Sequence, residues 1–284
     1  MERILVPYDF SDVAKNALNL ATEIAEQVKD STITIVHVIE HPTPETLKTM
    51  GVSDLDPMEE LYINKLFKIV EEKLEMVIAD SIYAGVDLKY KIVIGQPFKE
   101  ISDMITTERV QLVVMGTNGS DGLEEFLVGS NAERMVRFSK CPVLTVQKEF
   151  HIADINNIVF ASNFVDVPPA FIFKLKELQK AFDAHLKIVK INTPASFTTT
   201  RHDKQQIEDF INEFDLQNCS YEIYNHTNEE DGIVAYTEDV NADLIAIGTK
   251  QRRAIGHFFS GSIAEDVVNH AKVPVWTFGL EKAL

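Results

Sequence analysis

Cysteine is almost missing from this 284-residue sequence, which has only Cys141 and Cys219. The two lie far apart and form neither a CxxC pair nor a Cys/His metal spacing. They are expected to be reduced packing residues, which suits a cytoplasmic protein. No stretch reaches the ~18 consecutive apolar residues of a membrane span, so no membrane association is expected. The opening MERILVPYDF enters a strand-like pattern at once, and the expectation is that no signal peptide precedes the fold. Positive charge is also scarce: 27 Lys and Arg face 44 Asp and Glu, a net charge of −17. The deficit is shared, with 15 basic and 25 acidic residues in 1–150 and 12 and 19 in the remainder. Such a surface repels phosphodiester backbones and disfavours nucleic acid, though a small phosphorylated ligand in a local pocket is still allowed. Catalytic signatures are lacking too. There is no GKS or GKT, no GxGxxG, no GxSxG and no HExxH. His37 and His41 are four apart, but across a strand end rather than on one helix.

What the chain does contain is a repeat. The segment 4-ILVPYDFSD-12 lies over 158-IVFASNFVD-166 at an offset of 154, and 35-IVHV-38 over 188-IVKI-191 at 153. Then 112-LVVMGT-117 matches 244-LIAIGT-249, and 129-GSNAERMV-136 matches 261-GSIAEDVV-268, both at 132. The order never changes, so one unit is used twice, as domains 1–149 and 150–284. The shrinking offset places an extra segment in the first copy, within 41–60.

Each copy alternates strands and helices. In the first, apolar runs at 3–8, 32–39, 88–94, 111–116 and 143–147 predict strands. Helical spacing covers 12–29, 59–84, 97–108 and 130–139, with Ser11 as an N-cap and Pro97 in a first turn. Alternation of this kind predicts an α/β fold with right-handed crossovers and a doubly wound parallel sheet. Ligands of such sheets sit beyond the carboxyl ends of the strands, where strand order reverses. The Gly-rich stretch 115-MGTNGSDGLEEFLVGSNAERMV-136 follows the fourth strand and so belongs to that edge.

That stretch reads Gly116-x2-Gly119-x9-Gly129-Ser130. A strand, a glycine loop and a helix opening at Gly-Ser form an arrangement that can hold phosphate, because loop amides and the unpaired first-turn amides point at the anion. The spacing alone leaves a second reading open, in which the glycines only shape a tight connection.

The remaining matches favour the first reading. VPYDFS in the first strand, HV ending the second, MGTNGSDGLEEFLVGS and KCPVLTV together resemble the universal stress protein family, in its tandem form of two fused domains. The resemblance implies a Rossmann-like fold of the adenine nucleotide alpha hydrolase type, with the two domains packed as an intramolecular pseudo-dimer through their last strands. It also implies ATP, with Mg²⁺ or Mn²⁺ bound through the phosphates. By the same resemblance Asp9 meets the ribose with Pro7 shaping its turn, and Val38 meets adenine through its backbone. Met115 and Gly116 border the sugar and base, while Gly119, Gly129, Ser130 and the Asn131 amide hold phosphates. From the residues alone, Asp9 reads equally as a cap for the helix starting near Ser11.

The second copy departs at the key positions. Gln251 replaces the middle glycine, Asn163 replaces Asp9, Val165 replaces Ser11 and Ala161 replaces Pro7. Nucleotide binding is expected to be lost or altered there, unless Lys250, Arg252 and Arg253 contact phosphate by side chain. Eleven of the 17 Phe follow residue 156; core packing is their ordinary fate, an apolar ligand in the second cleft the rarer one.

Three function classes follow. An ATP-binding stress-response or regulatory protein leads. A weak ATPase or other nucleotide-using enzyme of the same superfamily is the alternative, without a visible acid/base pair. A receiver-like phospho-acceptor domain lacks its acidic pair and its lysine. The segment 41–60, with three prolines, reads as a loop and potential lid leading into a helix. Association of two whole chains into a homodimer is left open by the sequence.

Overall fold

Short β-branched runs separated by amphipathic helices give a single mainly parallel sheet in the computed structural model, which describes residues 1–28, 30–41, 57–117, 129–249 and 263–279. In the first half the elements are β1 (Arg3–Pro7), α1 (Asp12–Gln27), β2 (Thr32–Glu40), α2 (Pro57–Ile78), β3 (Asp87–Gly95), α3 (Pro97–Thr107), β4 (Leu112–Gly116), α4 (Ser130–Phe138) and β5 (Val143–Val146). The second half gives β6 (Asn157–Ala161), α5 (Pro169–Phe182), β7 (His185–Asn192), α6 (Thr200–Glu213), β8 (Cys219–Asn225), α7 (Glu229–Asp239), β9 (Leu244–Thr249), α8 (Ile263–His270) and β10 (Val275–Gly279). The expected strands and helices of the first half all form. The expected helix 59–84 divides into α2 and a 3-10 turn at Ser81–Tyr83, capped by Asp80. Most of the inserted segment, 42–56, lies outside the described residues.

The ten strands are ordered β3-β2-β1-β4-β5-β10-β9-β6-β7-β8. The order found from β3 to β5 is repeated, reversed in space, from β10 to β8. All pairings among these strands are parallel except β5 with β10, where Val275, Trp276 and Thr277 oppose Thr145, Leu144 and Val143. The last strands of the halves therefore join them, as the resemblance implied. Thr145 Oγ1 donates to Val275 O at 3.1 Å and Gln147 Nε2 to Val268 O at 2.9 Å. Trp276 is fully buried at this seam and packs edge-on against Phe171, ring centroids 5.4 Å apart.

Alternation along the strands divides the core. Ile4, Val6, Ile33, Ile35, Ile158, Phe160 and Ile188 face α1, α2, α5 and α6. Leu5, Val36, Val113, Met115, Val159, Val189 and Ile245 face α3, α4, α7 and α8. Both layers run through both halves, so the sheet is buried on each face, as parallel sheets require. The link between halves is fastened to α1: Glu23 accepts from the Ile152 amide at 2.7 Å and contacts His151 Nδ1 at 2.6 Å. That contact raises the His151 pKa, through the hydrogen bond first and the Glu23 charge second. Cys141 is buried and Cys219 half-buried, both free thiols. No helix among the described residues is long and apolar enough to cross a membrane.

Candidate functional site

β1 lies between β2 and β4 while its own crossover leads to β2, so strand order reverses beside it. At the carboxyl ends of these strands is a cavity of about 300 Å³. Eight of the nine candidate residues line it: Pro7 and Asp9 after β1, Val38 on β2, Met115 and Gly116 ending β4, and Gly129, Ser130 and Asn131 opening α4. Gly119 lies outside the described residues. Tyr8, His37, Glu40, Pro97, Ile101 and Thr117 also line the cavity, and the sequence reading did not single them out as ligand contacts.

The turn after β1 is built by side chains that brace its backbone. Asp9 Oδ1 accepts from the Ser11 amide at 3.0 Å and its hydroxyl at 2.5 Å, and Ser11 Oγ in turn caps α1 at the Ala14 amide. The helix cap is therefore Ser11 and not Asp9, which braces the cap residue and lines the cavity as well. Phe10 adopts a left-handed conformation, φ 67°, which costs a non-glycine residue roughly 1 kcal/mol. Ring contacts hold it there: Tyr8 at 5.3 Å, His37 at 5.0 Å, and the Lys73 ammonium over its face at 5.2 Å. His37 Nδ1 donates to Tyr8 O at 2.7 Å. Burial, then the Asp9 charge, push the Tyr8 hydroxyl pKa up.

The opposite wall is built differently. A Cβ on Gly116 would fall 2.4 Å from the Val13 carbonyl carbon and oxygen. The first turn of α1 presses directly on β4 here, and only glycine permits that approach. Gly129 has another reason for being glycine. Its φ of −53° suits any residue, and a Cβ would meet no atom of the described residues within 4 Å, so neither strain nor a described neighbour demands it. What its missing side chain leaves open is space in front of α4. Its N-cap, Gly129, offers no side-chain acceptor, and Ser130 and Asn131, which follow it, line the cavity. Thr117 also lines the cavity; it is 2% exposed, and its hydroxyl has no hydrogen-bond partner among the described residues. A buried orphan of this kind costs about 1–3 kcal/mol unless something fills its valence.

In the second half Asn163 repeats the turn bond, accepting from the Val165 amide at 3.1 Å, and Phe164 repeats the left-handed backbone with φ 59°. The residues around it differ. Val165 provides no hydroxyl cap, and α5 begins only at Pro169, after Pro168, without a side-chain cap. Lys190 stands where His37 stands in the first half. Its ammonium is buried and bonds Asp203 Oδ1 at 2.6 Å, Gln206 Oε1 at 3.0 Å and Thr198 Oγ1 at 3.3 Å. Burial pushes the Asp203 pKa up, but the bonds from Lys190 and Thr198 outweigh it and hold the carboxyl below its usual range. Phe160, Phe164 and Phe171 are buried and packed ring to ring among themselves and with Phe210, so these rings form core. Lys250, Gln251, Arg252, Arg253, Phe258 and Phe259 lie outside the described residues. Among the described residues no three His, Cys, Asp or Glu side chains gather to hold a metal ion.

A family model described as the universal stress protein family matches residues 1–147 and again 155–278. Universal stress protein MJ0531 of Methanocaldococcus jannaschii is 33% identical over 152 residues, which span 52% of this chain and 82% of that protein. Universal stress protein MJ0577 of the same organism is 31% identical over 156 residues, 52% of this chain and 96% of that one. Each of these relatives matches about half of the chain over most of its own length. The crystal structure of a universal stress protein from Archaeoglobus fulgidus is similar over 98% of both chains, with a TM-score of 0.77 and 20% identity, a likeness of fold.

Proposed function

The chain belongs to the universal stress protein family, and we propose that it is a cytoplasmic ATP-binding regulatory protein whose first domain holds the nucleotide. The second domain, beyond a boundary at 149/150, serves as a permanent structural partner. The observation that carries this reading is the end of the cavity at α4: an N-cap without a side chain at Gly129 and, among the described residues, no neighbour where its Cβ would stand and no partner for the buried Thr117 hydroxyl. Phosphate oxygens would accept from the Ser130 and Asn131 amides, and the helix dipole favours their charge. Asp9, Val38, Met115, Gly116 and Pro7 line the remainder, where the ribose and base would sit. Gly119 is assigned to the phosphates by its place in the motif.

The asymmetry between the domains follows from the turn after the first strand. Asn163 makes the same backbone bond as Asp9, so the turn itself does not require a carboxylate. The Asp9 charge is then available for a ligand, and a ribose hydroxyl is a donor it can accept from. A divalent cation would be held mainly by the phosphates, with Asp9 and Ser130 among the residues that bring hard oxygens to the lining. Its chemistry would be charge neutralisation. Asp9 Oδ1 is already committed to Ser11, which favours holding ATP over hydrolysing it.

Calorimetric titration of nucleotide-free protein with Mg-ATP tests the proposal. One site per chain, abolished by Gly119→Gln, is the expected result. Two sites would overturn the silent second domain, and no binding would overturn the function.

A further inference from the structure

α2 is apolar on two sides. Toward the sheet it buries Ile63, Val70 and Leu74. On its outer side Leu61, Tyr62, Ile69 and Met76 are 64%, 60%, 41% and 68% exposed. Tyr62, Ile69 and Met76 recur every seven residues, and Lys65 and Glu72, both exposed, fall between them on the same strip. A strip of this spacing on a 22-residue helix has the a/d pattern by which helices pair. No other described helix shows so many exposed large apolar side chains.

We propose that this strip binds the same strip of a second copy of the chain, with the two helices antiparallel. The charges select both occupant and direction. In a parallel pair Lys65 would face Lys65 and Glu72 would face Glu72 of the second copy, two like-charge layers inside the seam. In an antiparallel pair centred between residues 65 and 69, Ile69 of each copy lies on the Lys65 stem of the other. Tyr62 then lies on Glu72 of the other copy, and Lys65 is one turn from that Glu72. Two symmetry-related Lys65–Glu72 pairs result, and the aliphatic stems of Lys65 and Glu72 cover Ile69 and Tyr62. The two helix dipoles also run in opposite directions, which is favourable. α2 packs on β2 and β3, and β3 is the edge strand of the sheet, so the seam faces away from both candidate clefts. Association here leaves the nucleotide cavity open. A single helix pair is small beside the ~1,600 Å² of a standard interface, and each chain carries −17, so the dimer is weak, reversible and strengthened by salt.

Sedimentation equilibrium of the full chain across concentrations up to about 1 mM reads it directly. A monomer–dimer equilibrium is expected. Lys65→Glu and Glu72→Lys should each raise the dissociation constant about tenfold. The double variant Lys65→Glu/Glu72→Lys exchanges the charges and should restore association. Both positions are exposed, so folding is unaffected, and circular dichroism checks it. A photo-crosslinker at position 62 should attach to a second chain near residue 72. A wild-type monomer at every concentration would overturn the proposal, and so would a double variant no better than the singles. Crosslinking to residues 42–56 of the same chain would assign the strip to the chain's own insert and overturn it equally.

Discussion

The two clefts share a sheet, a strand order and even a left-handed phenylalanine after the first strand, yet they spend their polar groups differently. Around the first, Asp9, Ser11 and the start of α4 line the cavity, and the Thr117 hydroxyl has no partner among the described residues. In the second, the position of His37 is taken by Lys190, which is satisfied internally by Asp203, Gln206 and Thr198. The helix after the strand also starts later, at Pro169, because Pro168 and Pro169 cannot supply amide donors to extend it backward. A duplicated fold can therefore keep its backbone device while one copy turns its functional groups toward itself.

The comparison can be broken hardest at Gly116. Gly116→Val places carbon where the Val13 carbonyl already stands, and should cost about 3 kcal/mol or more in thermal unfolding as well as nucleotide binding. An unchanged melting temperature would refute the close approach of α1 to β4. Next in size is the buried pair of the second half. Lys190→Met leaves Asp203 charged and unpaired, and should cost about 3 kcal/mol in urea unfolding, whereas His37→Met should cost about 1 kcal/mol. The folded Asp203 pKa is depressed, so its contribution is present above the ordinary carboxylate value and is lost as pH falls through the folded one. Asp203→Asn should accordingly differ most from wild type near neutrality and converge with it in acid.

Asp9→Asn converts the first turn to the chemistry of the second. Because Asn163 shows that the turn tolerates an amide, stability should move by less than about 1 kcal/mol while ATP affinity falls about tenfold. Equal losses in both would mean Asp9 only braces the cap residue. The smallest effect concerns the link. The folded His151 pKa is raised, so its contact with Glu23 stabilises below the ordinary imidazole value and fades as pH rises through the folded one. Melting temperature should drift down between about pH 6 and pH 8, and His151→Ala should remove that drift.

Much of this was legible in the sequence. The 3.6 and 2.0 periodicities fixed the helices and strands of the first half to within a residue or two, and the helix before Ser81 erred only where Asp80 captures the Ile82 amide and closes a separate turn. The repeat offsets identified which positions correspond. The lysine within 188-IVKI-191 was a signal passed over, since a cation in an apolar run must find a buried partner. Thr117 gave no signal, because a threonine after a strand is ordinary until its burial is known. The two reasons for glycine at 116 and 129 look identical in sequence and differ only in what stands beside each.

The sequence by itself determined the element order, the duplication and the residue types at each cleft, because those depend on local periodicity and on comparing one copy with the other. Tertiary structure decided which polar groups are satisfied and which are left open, where α1 presses on β4, and which face of α2 is uncovered. Those outcomes depend on contacts between residues distant in the chain, and no local pattern encodes how closely two elements approach or what remains unpaired between them.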